Sequence, residues 1–204
     1  TEIIEENAPL YEKASIDEHY VDLTGMERFF GTWKWTKELK KNIVKHTGLP
    51  ISFGLSRNKT VSKIATGEVK PDGELYISDP YVKPFLYPLS IKKIPMIGDK
   101  TYQLLRSMGI SRIRTLSRVP VEMLENVLGK NGIVLWKKAN GIDDTPVKPY
   151  CERKSIGTER TFERDTTDIR AMNALLVSMV EKLTFQLRQE KKLTSCVTVK
   201  IRYS

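Results

Sequence analysis

The sequence contains few of the residues that build disulfide scaffolds or zinc sites, and it has no long apolar run. Two cysteines and two histidines occur among 204 residues, too few for a disulfide framework and without the spacing of zinc ligands. No apolar stretch approaches the ~20 residues that a helix needs to cross a bilayer. Residues 1–13 are acidic and polar, unlike a secretory signal. We therefore expect free thiols and a protein that is neither exported nor embedded in a membrane.

The composition favours a folded protein. Hydrophobic residues make up 40% of the chain and charged residues 29%, which supplies enough apolar surface to bury a core. At roughly 150 residues per domain, the length allows one or two domains. The chain begins with Thr1 rather than Met, which leads us to expect a fragment of a longer protein.

Positive charge is concentrated after residue 88. Residues 1–88 contain 12 Lys and Arg against 13 Asp and Glu, whereas residues 89–147 contain 10 against 5 and residues 148–204 contain 12 against 7. The net charge of +9 therefore comes from the second and third segments. Such a distribution favours a polyanionic partner such as nucleic acid, although many basic proteins have none.

Residues 1–88 predict an α+β unit with the element order ββαβα. Alternating and helically spaced apolar side chains carry this prediction. Asn58 is placed to cap the second helix, and Lys70–Gly73 has the composition of a turn. The predicted elements are a β-hairpin, a helix, a strand and a capped helix, over residues 14–23, 26–46, 51–56 and 58–66.

The rest of the chain changes character twice. Residues 89–142 carry short helical patterns without strand signals, and residues 143–153 read as a proline-containing linker. The helical patterns are interrupted by Gly109, Pro120, Gly129, Gly132 and Gly141. The end of the chain predicts a β-α-β order, with its elements over residues 154–162, 168–191 and 196–203.

Asp17 and Glu18 form the candidate metal site. Adjacent carboxylates at a bend can both face one divalent cation, and their hard oxygen ligands suit Mg²⁺, which keeps water and substrate phosphates as its other ligands. Such sites serve two-metal phosphoryl transfer. A solvated surface turn explains the same dipeptide, and two carboxylates are few for two metals.

Two other segments are suited to phosphate. Gly98 precedes a helical run that ends near Gly109, and a glycine there lets the first backbone amides of the helix face an anion. Such amides bind phosphate without reading bases. Lys70 is placed in its turn to meet a phosphate chain, although an ordinary exposed turn lysine would look the same.

Together these segments resemble one family, the Y-family translesion DNA polymerases, most closely the DinB or DNA polymerase IV type. The acidic pair lies in a run that is similar to the family's palm signature, and the other motifs follow in order at matching spacings. The matching runs are Ser15–Glu18, Tyr20–Asp22, Phe53–Lys59, Ser62–Ala65, Lys70–Gly73, Ile94–Gly98, Lys154–Gly157 and the residues Glu159, Thr161 and Phe162.

The resemblance implies a DNA-directed DNA polymerase of DNA repair, which transfers nucleotides from dNTP to a primer 3′-OH with two Mg²⁺ ions. Asp17 would be a metal ligand, Glu18 the catalytic carboxylate and a further ligand, and Lys70 a triphosphate contact. The implied DNA contacts are Met96, Gly98, Lys100, Thr101, Lys154, Ser155, Gly157, Thr158, Arg160 and Thr161. The implied domains are a partial palm (1–88), a small all-helical thumb with a helix-hairpin-helix (89–147), a linker (148–153) and a partial β-α-β little finger (154–204).

The chain departs from the family pattern at its ends and at two residues. No strand with the first metal-binding Asp and no fingers precede Thr1, and no clamp-binding peptide follows Ser204, so we expect this chain to be inactive alone. Met96 stands where a hairpin glycine is usual, and His19 replaces a small or apolar residue. A non-catalytic DNA-binding module and, with less support, a two-metal nuclease are the alternatives. The DinB type implies the bacterial cytoplasm, with a sliding clamp as a partner of the missing tail.

Overall fold

The chain forms two compact units in a computed structural model that describes residues 1–26, 31–149 and 153–202. The first unit comprises Thr1–Tyr150 and the second Cys151–Ser204. Within the described ranges, no helix is long and apolar enough to cross a bilayer. Cys196 is a free thiol, as predicted, and Cys151 lies outside the described residues.

The first unit contains eight α-helices and four short strands in its described ranges. Its elements are α1 (Glu2–Asn7), β1 (Leu10–Lys13), β2 (His19–Asp22), α2 (Thr32–Thr47), β3 (Phe53–Ser56), α3 (Lys59–Glu68), β4 (Glu74–Ile77), α4 (Val82–Leu86), α5 (Asp99–Ser107), α6 (Ile113–Arg118), α7 (Val121–Leu128) and α8 (Lys130–Ala139).

The strands form two separate two-stranded sheets. β1 and β2 pair antiparallel from Leu10↔Asp22 to Lys13↔His19, which confirms a hairpin with the acidic pair in its loop. The predicted range 14–23 is wrong for the first strand, which lies at Leu10–Lys13. β3 and β4 pair parallel, and α3 connects them. The order ββαβα predicted for residues 1–88 is wrong in omitting α1, β4 and α4. Four residues directly after a turn give too short an alternation to identify β4 from sequence.

Helix α3 lies close against β3 because Gly54 has no side chain. A Cβ atom at Gly54 would lie 2.4 Å from the carbonyl oxygen of Ser62, so no other residue allows this approach. Asn58 caps the helix as predicted, and its side-chain oxygen accepts a hydrogen bond from the Val61 amide at 3.0 Å. The buried face of α3 includes Val61 and Ile64. Its partly exposed face is thereby directed to the β1–β2 hairpin, where the acidic pair lies.

Helix α2 packs on the β3–β4 sheet and is shorter than predicted. The Trp33 ring lies 5.4 Å from the Phe53 ring and 6.0 Å from the Tyr76 ring, centroid to centroid. The helix begins at Thr32, whereas the apolar spacing predicted a start at Met26. Residues 27–30 of that prediction lie outside the described residues.

The helices from α4 to α8 share one core with α3. Gly109 has a φ of +79° after α5 and Gly129 a φ of +61° before α8, so both end helices where the sequence predicted breaks. The predicted break at Gly132 is wrong, because this residue lies inside α8. A Cβ there would lie 2.1 Å from the Leu124 carbonyl oxygen, so the glycine serves close packing of α7 and α8. The core residues include Val61, Ile64, Leu86, Ile91, Leu105, Ile113, Leu116, Leu124 and Leu135.

The second unit contains one long helix, α9 (Ile169–Gln189), and no strand among its described residues. Asp168 caps α9, accepting hydrogen bonds from the Arg170 and Ala171 amides at 2.8 and 3.2 Å. The predicted strands 154–162 and 196–203 are wrong over the described residues. An alternating sequence becomes a strand only when its backbone groups pair with a neighbour, and these segments have no such ladder.

Candidate active site

The acidic pair lies in the loop between β1 and β2, and Ser15 organises it. The Ser15 hydroxyl donates a hydrogen bond to Asp17 Oδ1 at 2.6 Å and accepts one from the Glu18 amide at 3.1 Å. The Ala14 amide donates to the Glu18 carbonyl oxygen at 2.9 Å and closes the bend. The hydrogen bond from Ser15 lowers the pKa of Asp17, and the charges of Lys70 and Lys63 lower it further. Asp17 is therefore an exposed carboxylate that stays ionised.

Glu18 forms an ion pair with Lys63 of α3. The Lys63 ammonium donates to Glu18 Oε2, and both side chains are 39% exposed. This hydrogen bond raises the pKa of Lys63, while partial burial acts in the opposite direction. Lys63 thereby fixes one oxygen of Glu18 and adds positive charge beside Asp17.

A second lysine, one turn earlier on α3, fixes the base of the same hairpin. Lys59 Nζ lies 2.7 Å from Glu12 Oε2 and 4.7 Å from the centroid of the Tyr20 ring. The Lys148 amide also donates to Glu12 Oε2, at 2.7 Å. Sequence reasoning gave Lys59 and Lys63 no role. Their spacing of four residues places both on one face of a capped helix, which was the available signal. Their partners Glu12 and Glu18 are distant in the chain, so the sequence did not identify them.

We predict that Glu12→Gln destabilises the protein at neutral pH and not in acid. Partial burial acts to raise the pKa of Glu12, but hydrogen bonds from Lys59 and the Lys148 amide outweigh it and lower that pKa. The resulting stability is present above the unfolded pKa of about 4.3 and is lost as pH falls through the folded value. We expect a loss of about 2 kcal/mol at pH 7.

Chemical denaturation at pH 7 and in acid measures this difference. Glu38→Gln is the matched control, because Glu38 is exposed and its nearest lysine nitrogen, in Lys34, lies 4.0 Å away. A loss of stability for Glu12→Gln that persists unchanged in acid would count against the ion pair as its cause.

Lys70 lies on the turn that follows α3, within electrostatic reach of Asp17. Its ammonium makes no hydrogen bond or ion pair within the described residues, and its charge acts on Asp17. The turn ends at Gly73, where a Cβ would lie 2.0 Å from the Val69 carbonyl oxygen. The charge of Lys70 therefore reaches Asp17 of the acidic pair, and Lys63 of α3 makes the direct ion pair with Glu18.

The donor set fits part of a magnesium site. Asp17 Oδ1 accepts from the Ser15 hydroxyl and Glu18 Oε2 from Lys63, and the backbone amide of Asp17 also stabilises its own carboxylate. Two hard oxygen donors suit Mg²⁺, whose remaining ligands are commonly water and phosphate. No group of three or more His, Cys, Asp or Glu in the described ranges forms a fuller metal site.

Both histidines have local structural partners. His19 Nε2 lies 3.3 Å from the Thr1 hydroxyl, and partial burial lowers the pKa of this imidazole. His46 Nδ1 lies 2.8 Å from the Asn42 carbonyl oxygen in the last turn of α2, as expected for a residue at a helix C-terminus.

The predicted phosphate site at α5 has an uncapped helix start. Gly98 is the N-cap residue, and no side chain caps the first amides of α5. Lys100 is exposed and Thr101 is half-buried on the first turn. Met96 has a φ of +84° and a side chain that is 60% exposed, so the backbone adopts a conformation that favours glycine. The turn therefore forms although Met96 replaces the glycine that is usual at this position.

We predict that Met96→Gly stabilises the protein. A side chain in the left-handed region costs roughly 1–2 kcal/mol, and glycine removes that strain at the expense of a more flexible unfolded chain. The expected net gain is about 1 kcal/mol in the free energy of unfolding. Met123→Gly, inside α7, is the control and should destabilise by about the helix penalty of glycine. If Met96→Gly lowered the free energy of unfolding, the left-handed backbone at Met96 would not be strained.

The predicted template-strand residues lie in the second unit, in a mostly exposed segment without regular secondary structure. Thr158 is half-buried, and the other five are exposed. A contact at 3.9 Å joins Glu159 Oε1 to Arg202 Nη2 within the same unit. The six residues are Lys154, Ser155, Gly157, Thr158, Arg160 and Thr161.

Comparison with known proteins identifies the family. The model of the impB/mucB/samB family matches residues 1–67, and the model of that family's C-terminal domain matches residues 153–204. Together the two matches cover more than half of the chain. The chain belongs to this family. Its relatives among solved structures are Y-family DNA polymerases, which confirms the predicted resemblance to the DinB type.

Curated relatives are named DNA polymerase IV. One from Dehalococcoides mccartyi is 36% identical over 99% of this chain and 52% of its own length. DNA polymerase IV 2 of Methanosarcina mazei is 32% identical over 99% of this chain and 55% of its own length. The chain thus spans about half the length of the curated relatives it matches.

Solved structures agree in fold. DinB from Sulfolobus solfataricus matches with a TM-score of 0.65 and 29% identity, over 72% of this chain and 44% of that one. An insertion ternary complex of Dbh DNA polymerase gives the same TM-score, identity and coverage. The mixed α/β architecture with small sheets is therefore that of the Y-family polymerases.

Proposed function

We propose that this chain is part of a template-directed, translesion DNA polymerase, in which it supplies the nucleotidyl-transfer site. The observation that carries the proposal is the ionised Asp17, next to the half-exposed Glu18 and acted on by the charge of Lys70. Carboxylates that hold a cation, beside a lysine available for phosphate, are the groups that transfer of a nucleotidyl group requires. Family membership supports the same reaction.

In this proposal Asp17 and Glu18 hold Mg²⁺, two ions in the intact site, together with ligands from outside the pair. The ions supply charge stabilisation and alignment of the reacting oxygens when bound. Ser15 keeps Asp17 oriented, Lys63 keeps one oxygen of Glu18 fixed, and Lys70 binds the incoming triphosphate.

We further propose the polymerase subdivision predicted from the sequence. Residues 1–88 act as part of the palm, residues 89–147 as the thumb, and residues 154–204 as part of the little finger, after the linker 148–153. Support for a thumb comes from the helical run α5–α8, and support for its helix-hairpin-helix from the turn at Met96 and Gly98 before α5. A sliding clamp and a cytoplasmic location stay predictions from the resemblance.

DNA binding by the 204-residue chain should be strongly salt-dependent. Lysine and arginine that contact phosphates release condensed counterions, so four such contacts would lower affinity about 100-fold between 50 and 200 mM salt. Lys100→Gln should reduce the slope by about one, whereas Lys45→Gln at the end of α2 should leave it unchanged. Fluorescence anisotropy with a primer–template measures both. An affinity indifferent to salt would exclude the basic surface as the contact.

Primer extension by the intact protein tests the proposed reaction. We expect template-directed incorporation with Mg²⁺ and dNTPs, and binding without extension by residues 1–204 alone. Release of cleaved DNA without nucleotides would indicate a nuclease instead. Binding without extension by the intact protein would indicate a non-catalytic module. Robust incorporation by residues 1–204 would contradict the assigned site.

A further inference from the structure

Lys40, on helix α2, is a charged side chain that is buried. Only 10% of the side chain is exposed. Lysine is seldom buried without partners, because desolvation of the ammonium is costly unless hydrogen bonds and opposite charges compensate. The groups that compensate the buried Lys40 charge therefore indicate its structural role.

The partners of the Lys40 ammonium among the described residues lie at the end of the turn that carries Lys70 and at the start of β4. Nζ lies 2.7 Å from the main-chain oxygen of Asp72, 2.9 Å from Asp72 Oδ1 and 3.5 Å from Glu74 Oε1. One ammonium thus binds both the backbone and the carboxylate of the same residue. This arrangement fixes the peptide group between Asp72 and Gly73.

The turn conformation needs such support. Asp72 has a φ of +53°, a left-handed conformation that a residue with a side chain seldom adopts. On the other side, the Gly73 amide donates to Ser52 Oγ at 3.1 Å and the Gly73 carbonyl oxygen accepts from the Phe53 amide at 3.1 Å. The turn is therefore held from α2 and from β3 together.

We propose that Lys40 is a positioning residue for nucleotide binding, because it fixes the turn that directs Lys70 towards the site of the triphosphate. This inference rests on the nucleotide-binding role proposed for Lys70. Lys70 itself makes no hydrogen bond or ion pair within the described residues, so its direction depends on the backbone that carries it. Lys40 acts on the nucleotide only through that backbone.

Lys37 provides a matched control. It lies one turn earlier on α2, its ammonium is 3.7 Å from Glu74 Oε2, and it lies 5.8 Å from the centroid of the Trp33 ring. Lys37→Met removes the same charge from the same helix and loses a contact with the same glutamate. It leaves the hydrogen bond to the Asp72 main chain intact.

A double-mutant cycle in the intact polymerase tests the proposal. We expect Lys40→Met to raise the KM for dNTP about tenfold with kcat and DNA affinity nearly unchanged, and Lys37→Met to change KM less than twofold. Because Lys40 acts through Lys70, Lys40→Met should add less than twofold to the KM of Lys70→Ala. Two results would overturn the proposal. One is a tenfold rise in KM from Lys40→Met both with Lys70 present and in the Lys70→Ala variant. The other is no rise in KM from Lys40→Met when Lys70 is present.

Hydrogen exchange in the 204-residue chain measures the turn independently. Lys40→Met should speed exchange of the Gly73 amide at least tenfold, and Lys40→Gln, which keeps a donor for Asp72, should speed it less. Unchanged exchange would overturn the positioning role even if KM rose. If Lys70→Ala leaves KM unaltered while exchange responds to Lys40→Met, the nucleotide role of Lys70 fails and the hold of Lys40 on the turn stands.

Discussion

Replacement of Asp17 by Asn should lower kcat for nucleotide incorporation about 10³-fold in the intact polymerase. The amide still accepts the hydrogen bond from Ser15, so the loop should keep its bend. It lacks the negative charge that holds a cation, and loss of metal-assisted charge stabilisation costs several kcal/mol of the activation barrier. Single-turnover incorporation measures the effect, with primer–template affinity measured in parallel.

Asp79→Asn is the control for Asp17→Asn. Asp79 is an exposed aspartate of the same unit, and its nearest basic partner is Arg57 Nε at 3.8 Å. We expect this variant to incorporate nucleotides within about twofold of the natural enzyme. A loss of less than tenfold for Asp17→Asn would mean that the acidic pair is incidental, as in a DNA-binding module.

Replacement of Lys70 by Ala should raise the KM for dNTP about 30-fold. A charge-assisted hydrogen bond to phosphate contributes about 2 kcal/mol, and the triphosphate is bound before the reaction as well as during it. The loss should therefore appear mainly in KM, with a smaller fall in kcat. Steady-state kinetics with one dNTP at saturating primer–template separates the two constants.

Lys41→Ala controls for loss of positive charge. Lys41 is exposed on α2 next to the buried Lys40 and has no assigned role. Its replacement should leave KM within twofold. An equal rise in KM for Lys41→Ala and Lys70→Ala would show a general electrostatic effect rather than a specific phosphate contact.

Local signals in the sequence predicted the elements that carry the site. The hairpin, the Asn58 cap and the glycine after α5 each depend on a few neighbouring residues, and all three occur in the structure. The acidic pair and Lys70 were identified as site candidates for the same reason. The electrostatic effect of Lys70 on Asp17 required the fold, because α3 and the hairpin must pack before the two charges can interact.

Long-range pairing limited what the sequence could predict. Lys63 and Glu18 are 45 residues apart in the chain, so no local pattern connects them. Gly132 looked like a helix break because its role, close packing against α7, depends on a neighbouring helix. The alternating segments at the end of the chain indicated strands, yet strand formation depends on a partner that alternation does not specify.

A crystal structure of the intact polymerase with primer–template DNA, Mg²⁺ and a non-hydrolysable dNTP tests the central claim most directly. We predict Mg²⁺ bound by carboxylate oxygens of Asp17 and Glu18, and Lys70 Nζ within hydrogen-bond distance of a phosphate oxygen of the nucleotide. A metal and triphosphate bound elsewhere, with Asp17, Glu18 and Lys70 exposed to solvent, would contradict it.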